Sequence, residues 1–286
     1  MNPECRTVRR AKPLLGTLVE ISVQGADELL LNKAIDSAFI EVANIHGLMS
    51  FHDPESDVSR INRDAIRSAV KIDRHTWTVL RIAEELSHRS GGVFDVTTAS
   101  KLVEWGYLPG LMTIQSEANF SDIRLLGGHR VAFHRPLMID LGGIAKGYAV
   151  DCAIEKLKEL GVPSGCVNAG GDMAMFGDEP QSIHVRHPSA PGSMVRLGTF
   201  SNCAIATSAT YFSQKNWEGR EVSPLVHPAT GKPYKEKTSA TVIAPSCIIA
   251  DGLTKVVAMG CHNLDYILSQ YRAKAFLVGA EQHEQA

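Results

Sequence analysis

Residues 140–151 of the chain read DLGGIAKGYAVD. A carboxylate, a glycine pair and a lysine stand together where the pattern predicts that a strand changes into a helix. Glycines let a ligand approach the backbone, a helix N-terminus offers free N–H groups, and Lys146 adds a positive charge. The stretch therefore predicts an anion site, and phosphate is the natural anion.

The spacing of this stretch differs from the common phosphate motifs. A P-loop needs four residues between its first glycine and the Gly-Lys pair, and a Ser or Thr after the lysine, where this chain has Gly147. The stretch is not a GxGxxG motif either. From residue chemistry alone, a Gly-Gly turn that caps a buried helix, with Lys146 solvated, remains an alternative.

Length and composition favour an ordinary globular protein. With 286 residues, 44% of them hydrophobic and 21% charged, the chain can bury a full core, and we predict a single domain over 1–286, with room for two lobes. The net charge of −2 gives no broad basic field for nucleic acid. Six cysteines without a C-x-x-C pair predict reduced thiols rather than zinc or a disulfide ladder.

The sequence contains no candidate export or membrane segment. No stretch approaches the ~20 apolar residues of a membrane span. The polar segment from Met1 to Lys12 is not followed by the apolar core of a signal peptide. As written, the chain is expected in the cytoplasm.

Hydrophobic periodicity predicts alternating helices and strands in an α/β or α+β arrangement. The predicted helices are Asp27–Met49, Thr76–Ser87, Lys146–Leu160, Ile249–Met259 and Leu264–Tyr271. The predicted strands are Leu18–Val23, Cys166–Phe176 with a break at Gly170-Gly171, short strands within Ile183–Ile205, Thr238–Ala244, Ala275–Val278, and a hairpin of Val131–Phe133 with Leu137–Leu141. The remaining segments are predicted as a polar loop at 51–62 that forms a ligand wall, irregular chain at 93–128, a loop at 216–233 and a frayed tail at 281–286.

Further short motifs accompany the central stretch in a fixed order along nearly the whole chain. They are Leu15-Gly16-Thr17, 49–56 with Ser59 and Asn62, 94–97 with Trp105-Gly106, 168–172, 206–208, Pro228 with Thr230-Gly231, and Ala250-Asp251. Together they resemble the ApbE family of FAD:protein FMN transferases. The resemblance implies an α+β, T-fold-related architecture, in which packed helices cover a layered mixed sheet. It also implies a Mg²⁺-dependent enzyme that splits FAD, passes FMN to a Thr or Ser hydroxyl of a flavin-acceptor protein, and releases AMP.

The resemblance also implies roles for individual residues. Asp140 and Lys146 would contact FAD, the Gly143 carbonyl and Asp251 would ligate Mg²⁺, and Lys146 and His227 would serve catalysis. The other expected FAD-binding residues are His52, Val93, Phe94, Asp95, Asn168, Gly170, Gly171, Thr207, Ser208 and Leu225. Hard oxygen ligands suit Mg²⁺, and such a displacement needs charge on the phosphates rather than a strong protein nucleophile.

Each role has a plainer structural alternative. Asp140 can cap the turn, Phe94 can belong to the core, and Asp95 can cap the segment that follows it. The Gly170-Gly171 pair can form a β-bulge. His52, which stands where the family carries an aromatic residue, can be a solvated loop histidine.

The chain departs from the family pattern at two chemically important positions. Pro224 stands where the family carries a histidine proposed to take the proton of the acceptor hydroxyl, and proline cannot accept a proton. Either His227 replaces that base, or the base is lost and His227 is a surface residue. Lys255 stands where metal-binding members carry a threonine, one helical turn after Asp251, so its ammonium would compete with Mg²⁺ for that carboxylate and replace part of its charge.

Three functions therefore compete. The first is an active FAD:protein FMN transferase. The second is a non-catalytic FAD-binding protein, with an FAD pyrophosphatase as its hydrolytic variant, since water can replace the acceptor hydroxyl. The third is a protein that has kept the fold and lost the ligand. Family members are often periplasmic or lipid-anchored, but Cys5 lacks the apolar stretch expected before a lipid-attachment cysteine.

Overall fold

The computed structural model describes residues 5–110, 114, 117–188, 190–209, 213–236 and 238–279. The helices in these ranges are α1 (Glu28–Met49), α2 (Asp57–Asp64), α3 (Arg74–Arg89), α4 (Ala99–Glu104), α5 (Ala145–Glu159), α6 (Cys247–Met259) and α7 (Leu264–Gln270). The strands are β1 (Arg6–Leu14), β2 (Thr17–Gly25), β3 (Val70–Lys71), β4 (Ile123–Leu126), β5 (Arg130–Phe133), β6 (Ser164–Ala169), β7 (Asp172–Phe176), β8 (Gln181–His187), β9 (Ala190–Phe200), β10 (Ala204–Ala209), β11 (Lys215–Trp217), β12 (Arg220–Val222), β13 (Val226–His227), β14 (Lys232–Pro233), β15 (Thr238–Ala244) and β16 (Lys274–Gly279).

A seven-stranded sheet organises the molecule, with the strand order β1-β2-β6-β7-β10-β15-β16. The pairings described within it are antiparallel. Side chains alternate across the sheet, as in β2, where Val19 and Ile21 are fully buried while Leu18 is 59% exposed. A large sheet with packed helices confirms the predicted α+β class.

Different elements pack on the two faces of the sheet. Helix α5 packs between α1 and α6, and α5 and α6 lie on β6, β7, β10 and β15. On the opposite face, Met175, Ile205 and Ile243 of the sheet form a smaller cluster with Ile183 of β8. The hairpin of β8 and β9 thus covers the side that the helices leave open.

Helix α1 shows how the sequence determines the local structure. Its apolar residues recur at helical spacing, and Leu31, Ile35 and Val42 are fully buried. Asp27 caps its N-terminus and accepts hydrogen bonds from the N–H groups of Leu29 and Leu30. The predicted helix is confirmed, as are α3, α5 and α6 and the strands β2, β15 and β16.

The predicted hairpin of Val131–Phe133 with Leu137–Leu141 is wrong. Strand β5 pairs instead with β4 and with β3. Gly127 and Gly128, the latter at φ +74°, supply the tight turn that makes β4 the nearer partner. Residues 137–141 form no strand, so the central motif follows an extended segment whose Asp140 N–H bonds to Val96 O.

Several segments predicted as loops contain regular structure. The polar stretch 51–62 runs into α2, because the Ser56 hydroxyl accepts the Ser59 N–H and caps that helix. Residues 216–233 lie largely in two small hairpins, β11–β12 and β13–β14. The irregular region 93–128 includes α4 and β4. The frayed tail predicted at 281–286 lies outside the described residues.

Helices α5 and α6 approach each other closely. A Cβ on Gly147 would lie 2.3 Å from the carbonyl oxygen of Cys247, so only glycine fits there. Asp151, the last residue of the central motif, accepts hydrogen bonds from the N–H groups of Cys247 at 2.7 Å and Ile248 at 2.9 Å. Helix α5 therefore caps the N-terminus of α6 with a carboxylate.

Among the described residues, no helix combines the length and the apolar character that a membrane crossing requires. The six cysteines all lie in the described ranges and are free thiols, with Cys152 and Cys247 buried and Cys5 exposed.

Candidate functional site

The first turn of α5 places the central lysine against two buried carboxylates. Nζ of Lys146 lies 2.5 Å from Oδ2 of Asp172 and 3.6 Å from Oδ2 of Asp251. Asp172 opens β7 and Asp251 lies in α6. The side chains of Asp172 and Asp251 are 5% and 1% exposed, and that of Lys146 is 31% exposed. The alternative of a merely solvated Lys146 is therefore wrong.

Asp251 joins a second lysine to this group. Nζ of Lys255, one turn later in α6, donates to Oδ1 of Asp251 and, at 2.9 Å, to its backbone oxygen. The Gly147 N–H donates to Oδ2 of Asp251 at 3.1 Å. We call Lys146, Asp172, Asp251 and Lys255 the lysine–aspartate cluster.

Burial and charge act in opposite directions on the pKa values of this cluster. Burial alone would lower the pKa of Lys146, but the carboxylates of Asp251 and Asp172 outweigh it and raise that pKa. Burial would raise the pKa of Asp251, yet Lys146 and Lys255 hold it below its ordinary value. Burial and the neighbouring Asp251 charge raise the pKa of Asp172, in spite of Lys146. Asp172 is therefore the carboxylate of this pair that holds a proton more readily.

A small cavity of about 80 Å³ borders the cluster and brings together segments that are distant in sequence. It is lined by residues that include Val93, Phe94, Asp95, Asp140, Gly143, Pro224, Leu225 and Lys255. Six of these, all except Pro224 and Lys255, are among the FAD- or metal-binding residues that the sequence predicts. The structure thus places these six predicted residues on the wall of one cavity.

A larger cavity of about 880 Å³ adjoins the small one. The two share Asp95, Thr98, Val226 and Pro228 in their walls. Its other walls come from the chain around Gly91-Gly92, from α4 and from residues near Phe120. Its volume falls in the range of about 300–1,000 Å³ typical of small-molecule and cofactor sites.

Asp95 and Asp140 both line the small cavity and also contact the backbone turns that follow them. Asp95 accepts hydrogen bonds from the N–H groups of Thr97 at 2.8 Å and Phe120 at 3.1 Å. A Cβ on Gly142 would lie 3.0 Å from Oδ2 of Asp140, so this carboxyl lies against the glycine pair that follows it. Burial raises the pKa of both carboxyls. The capping alternative is thus correct for Asp95, and both carboxyls also line the small cavity.

The Asn168–Asp172 motif forms a tight turn between β6 and β7. Asn168 Oδ1 accepts the Gly171 N–H at 2.9 Å, and Gly170 has φ +66°. A Cβ on Gly170 would lie 2.4 Å from Oγ1 of Thr17, so this glycine lets the turn pack on β2. The turn delivers Asp172 to Lys146, and the motif thereby contributes to the site through its last residue.

The remaining predicted FAD-binding residues lie outside the two cavity walls. Oγ1 of Thr207 is 2.9 Å from Oγ1 of Thr241 in the neighbouring strand, and Ser208 follows it in β10. His52 is exposed on the turn after α1. Their contacts with FAD stay predictions.

The late loop places Pro224 and His227 differently. Pro224 lines the small cavity, whereas His227 lies in β13 next to Val226, which faces both cavities. Because neighbouring strand residues point to opposite sides, His227 faces away from the wall that Val226 forms. Its Nδ1 is buried and makes no hydrogen bond to the described residues. The role of His227 as a base stays a prediction.

The residues expected to ligate Mg²⁺ do not offer a ready metal site. Lys255 already bonds to Oδ1 and the backbone oxygen of Asp251, and its Cε lies 3.3 Å from where a Cβ on Gly143 would be. The Lys255 side chain thus bonds to one expected ligand residue and packs against the other. In the described ranges, no group of three His, Cys, Asp or Glu side chains is arranged to hold a metal ion. With Lys255 in place, the residues present do not fit a divalent cation.

Sequence reasoning missed one member of the cluster. Asp172 ends the Asn168–Asp172 motif, but no role was predicted for it. The sequence did offer one indication: Asp172 directly follows the Gly170-Gly171 turn, and Lys146 of the central motif had no predicted carboxylate partner. Its pairing with Lys146 depends on β7 beginning beside the N-terminus of α5, which no local pattern encodes.

Fold and site together define an α+β protein with a nucleotide-sized cavity beside a buried cluster of two lysines and two aspartates. The model of the ApbE family matches residues 15–277. The chain belongs to the ApbE family.

Relatives and solved structures agree with this assignment. The chain is 29% identical over 275 residues to the FAD:protein FMN transferase of Vibrio cholerae serotype O1, covering 88% of this chain and 81% of that protein. It is 21% identical to the FAD:protein FMN transferase of Salmonella typhimurium, covering 98% and 87%. The ApbE protein of Thermotoga maritima superposes with a TM-score of 0.82 at 25% identity, covering 96% of each chain. The flavin transferase ApbE from Vibrio cholerae superposes with a TM-score of 0.80 at 25% identity, covering 98% and 95%.

Proposed function

We propose that this chain is an FAD:protein FMN transferase, which moves FMN from FAD to a Thr or Ser hydroxyl of another protein and releases AMP. The observation that carries the proposal is the convergence of Asp95, Asp140, Gly143 and Leu225 on one cavity beside the lysine–aspartate cluster. Relatives that align over most of this chain bear that activity as their name.

The reaction needs charge and positioning more than a protein nucleophile. The acceptor oxygen attacks the phosphorus of the FMN half, the bond from that phosphorus to the bridging oxygen breaks, and AMP leaves with that oxygen. Lys255 lines the small cavity, and Lys146 lies 3.6 Å from the Asp251 carboxylate that Lys255 contacts. We assign these two lysines the role of stabilising the negative charge that develops on the phosphates. No step of this proposal runs through a metal ion, because the residues around Asp251 do not fit one.

The hydroxyl proton must pass to a base, and two groups are candidates. His227 is one, although strand alternation turns it from the cavity wall. Asp172 is the other, since burial raises its pKa and it belongs to the cluster. Loss of a general base costs about 10²–10⁴-fold in rate, so His227→Gln and Asp172→Asn, compared in single turnovers, identify which group acts.

The test follows FAD in the presence of a peptide library with a central threonine or serine. Transfer predicts AMP in solution and a peptide that gains the mass and fluorescence of one FMN. A matched library with valine at the central position should remain unmodified, because valine has the shape of threonine without the hydroxyl. AMP together with free FMN would instead identify a pyrophosphatase.

A second function is favoured by one observation. Pro224, which cannot accept a proton, lies on the cavity wall at the position where the resemblance implies a base. A non-catalytic FAD-binding protein would leave bound FAD intact in the same assay, with no AMP formed, while FAD still raises the melting temperature. Its signature is therefore stabilisation without turnover.

A further inference from the structure

The ammonium of Lys255 is held by two oxygen atoms of Asp251. Its Nζ donates to both Oδ1 and the backbone oxygen of Asp251, and its side chain is 16% exposed. Its Cε packs against Gly143, with 3.3 Å from that carbon to the Cβ position of the glycine. A carboxylate oxygen and a backbone carbonyl oxygen are the donors that hard divalent cations prefer. Here both oxygens accept hydrogen bonds from an ammonium, and the backbone oxygen also accepts one from Oγ1 of Thr254 at 2.7 Å.

This ammonium also faces the cavity. Lys255, Gly143 and Asp140 all line the small cavity. An ammonium has three N–H donors, and the contacts to Asp251 use two of them. One donor therefore remains for an oxygen atom of a ligand held in that cavity.

We propose that the Lys255 ammonium is a built-in cation that takes the place of a divalent metal ion, so that the site engages the FAD pyrophosphate without Mg²⁺. This inference rests on the proposed function, because FAD is the ligand it names. Its physical basis is exclusion: a divalent ion at Asp251 would have to displace a covalently tethered cation from a buried carboxylate.

The charge of the site gives a second consequence. The lysine–aspartate cluster holds two lysines and two aspartates, so its formal charge is zero. A divalent ion in the position of Lys255 would give the same site one more positive charge. The site with Lys255 therefore attracts the pyrophosphate less strongly than a site with a divalent ion would, but it does not require a metal ion.

The first arm of the test uses Mn²⁺ alone, without FAD. The wild-type protein should leave the free Mn²⁺ signal in electron paramagnetic resonance unchanged. Lys255→Ser, which frees Oδ1 of Asp251 and adds a hydroxyl, should bind Mn²⁺. The matched control is Lys156→Ser, because Lys156 also pairs with a carboxylate, Glu159, but on the exposed side of α5. That variant should bind none.

The second arm measures FAD affinity in EDTA and in Mg²⁺. Wild-type affinity should change less than about twofold, whereas Lys255→Ser should bind at least about tenfold more weakly in EDTA and recover in Mg²⁺. A wild-type affinity that rises about tenfold with Mg²⁺, or wild-type protein that depletes free Mn²⁺, would overturn the inference. Both of these wild-type results are decisive even when the variant does not fold.

The two arms separate this inference from the proposed function. If FAD does not bind under any condition, the proposed function fails, and the Mn²⁺ arm still decides whether Lys255 excludes a metal. If FAD binds only with Mg²⁺, the proposed function stands and the inference fails.

Discussion

A single carboxylate, Asp151, holds the N-terminus of α6, which carries half of the lysine–aspartate cluster. Ser246, the N-cap residue of α6, makes no side-chain capping bond, and the N–H groups of Cys247 and Ile248 depend on Asp151 instead. Burial raises the pKa of this carboxyl to about 6, and the two N–H bonds only partly offset the effect. The same residue therefore stabilises the helix by hydrogen bonds and carries a desolvation cost when charged.

Replacing Asp151 by alanine should destabilise the protein. Two helix-end N–H groups would lose their acceptor, and loss of a cap costs about 0.5–2 kcal/mol of unfolding free energy. Asp151→Asn retains one acceptor oxygen and carries no charge, so its loss should be smaller. Differential scanning calorimetry at neutral pH measures both melting temperatures. If Asp151→Ala has the same melting temperature as the wild type, the cap does not contribute to stability.

The contribution of Asp151 should also depend on pH. Because its folded-state pKa is raised from 3.8 to about 6, the folded protein binds this proton more tightly than the unfolded chain. Its contribution to stability is fully present below the unfolded pKa and is lost as the pH rises through about 6. The difference in melting temperature between wild type and Asp151→Asn should fall over that range and level off above it. A difference that does not change with pH would show that the carboxyl titrates normally.

At the scale of elements, the close contact between α5 and α6 requires a residue without a side chain, Gly147. Gly147 allows the first turn of α5 to touch the backbone of Cys247 and the Cβ of Asp251. The same contact lets the Gly147 N–H bond to the Asp251 carboxylate. The geometry of the lysine–aspartate cluster is therefore a consequence of helix packing.

Gly147→Ala should separate the two helices and destabilise the fold. Its Cβ would lie 2.3 Å from a backbone oxygen that cannot move without shifting α6, and overpacking of this kind costs about 1–3 kcal/mol. The matched control is Gly47→Ala in α1, where a Cβ would meet nothing within 4 Å and helix propensity predicts a gain of about 0.5–1 kcal/mol. Chemical denaturation of both variants measures the two free energies. Equal stability of the two variants would contradict the close approach.

Elements were predictable where a local pattern determines them and unpredictable where a distant partner does. The apolar spacing of α1 and the alternation of β2 required no knowledge of the rest of the chain. The pairing of β5 with β4, rather than with residues 137–141, depended on the Gly127-Gly128 turn. The hairpins β13–β14 and β11–β12 are short and polar, with little periodicity to reveal them.

At the scale of the whole molecule, the site is formed by long-range assembly. The small cavity joins the segment after α3, the chain before α5, the late loop around Pro224 and the helix α6. The ordered motifs predicted most of these residues, because a family resemblance carries long-range information that spacing alone lacks. The ion pair of Lys146 with Asp172 needed the packed structure, because the two residues are distant in sequence. The pair of Lys255 with Asp251 was predictable from its spacing of one helical turn.

If the two cavities form one ligand site, FAD should stabilise the whole fold, and a residue shared by both walls should control that effect. A ligand at 100 times its Kd adds about 2.7 kcal/mol to the unfolding free energy. For a chain of this size that corresponds to a rise in melting temperature of roughly 4–5 °C. Thr98 lines both cavities and makes no side-chain capping bond at the start of α4.

Thr98→Trp should therefore fill the junction and abolish the stabilisation by FAD, while leaving the melting temperature of the free protein nearly unchanged. The control, Thr98→Ser, keeps the space open and should retain the full response. Thermal shift measurements with and without FAD on the three proteins decide the matter. A normal FAD response in Thr98→Trp would place the ligand elsewhere on the molecule, because an indole at this junction leaves no path from one cavity to the other.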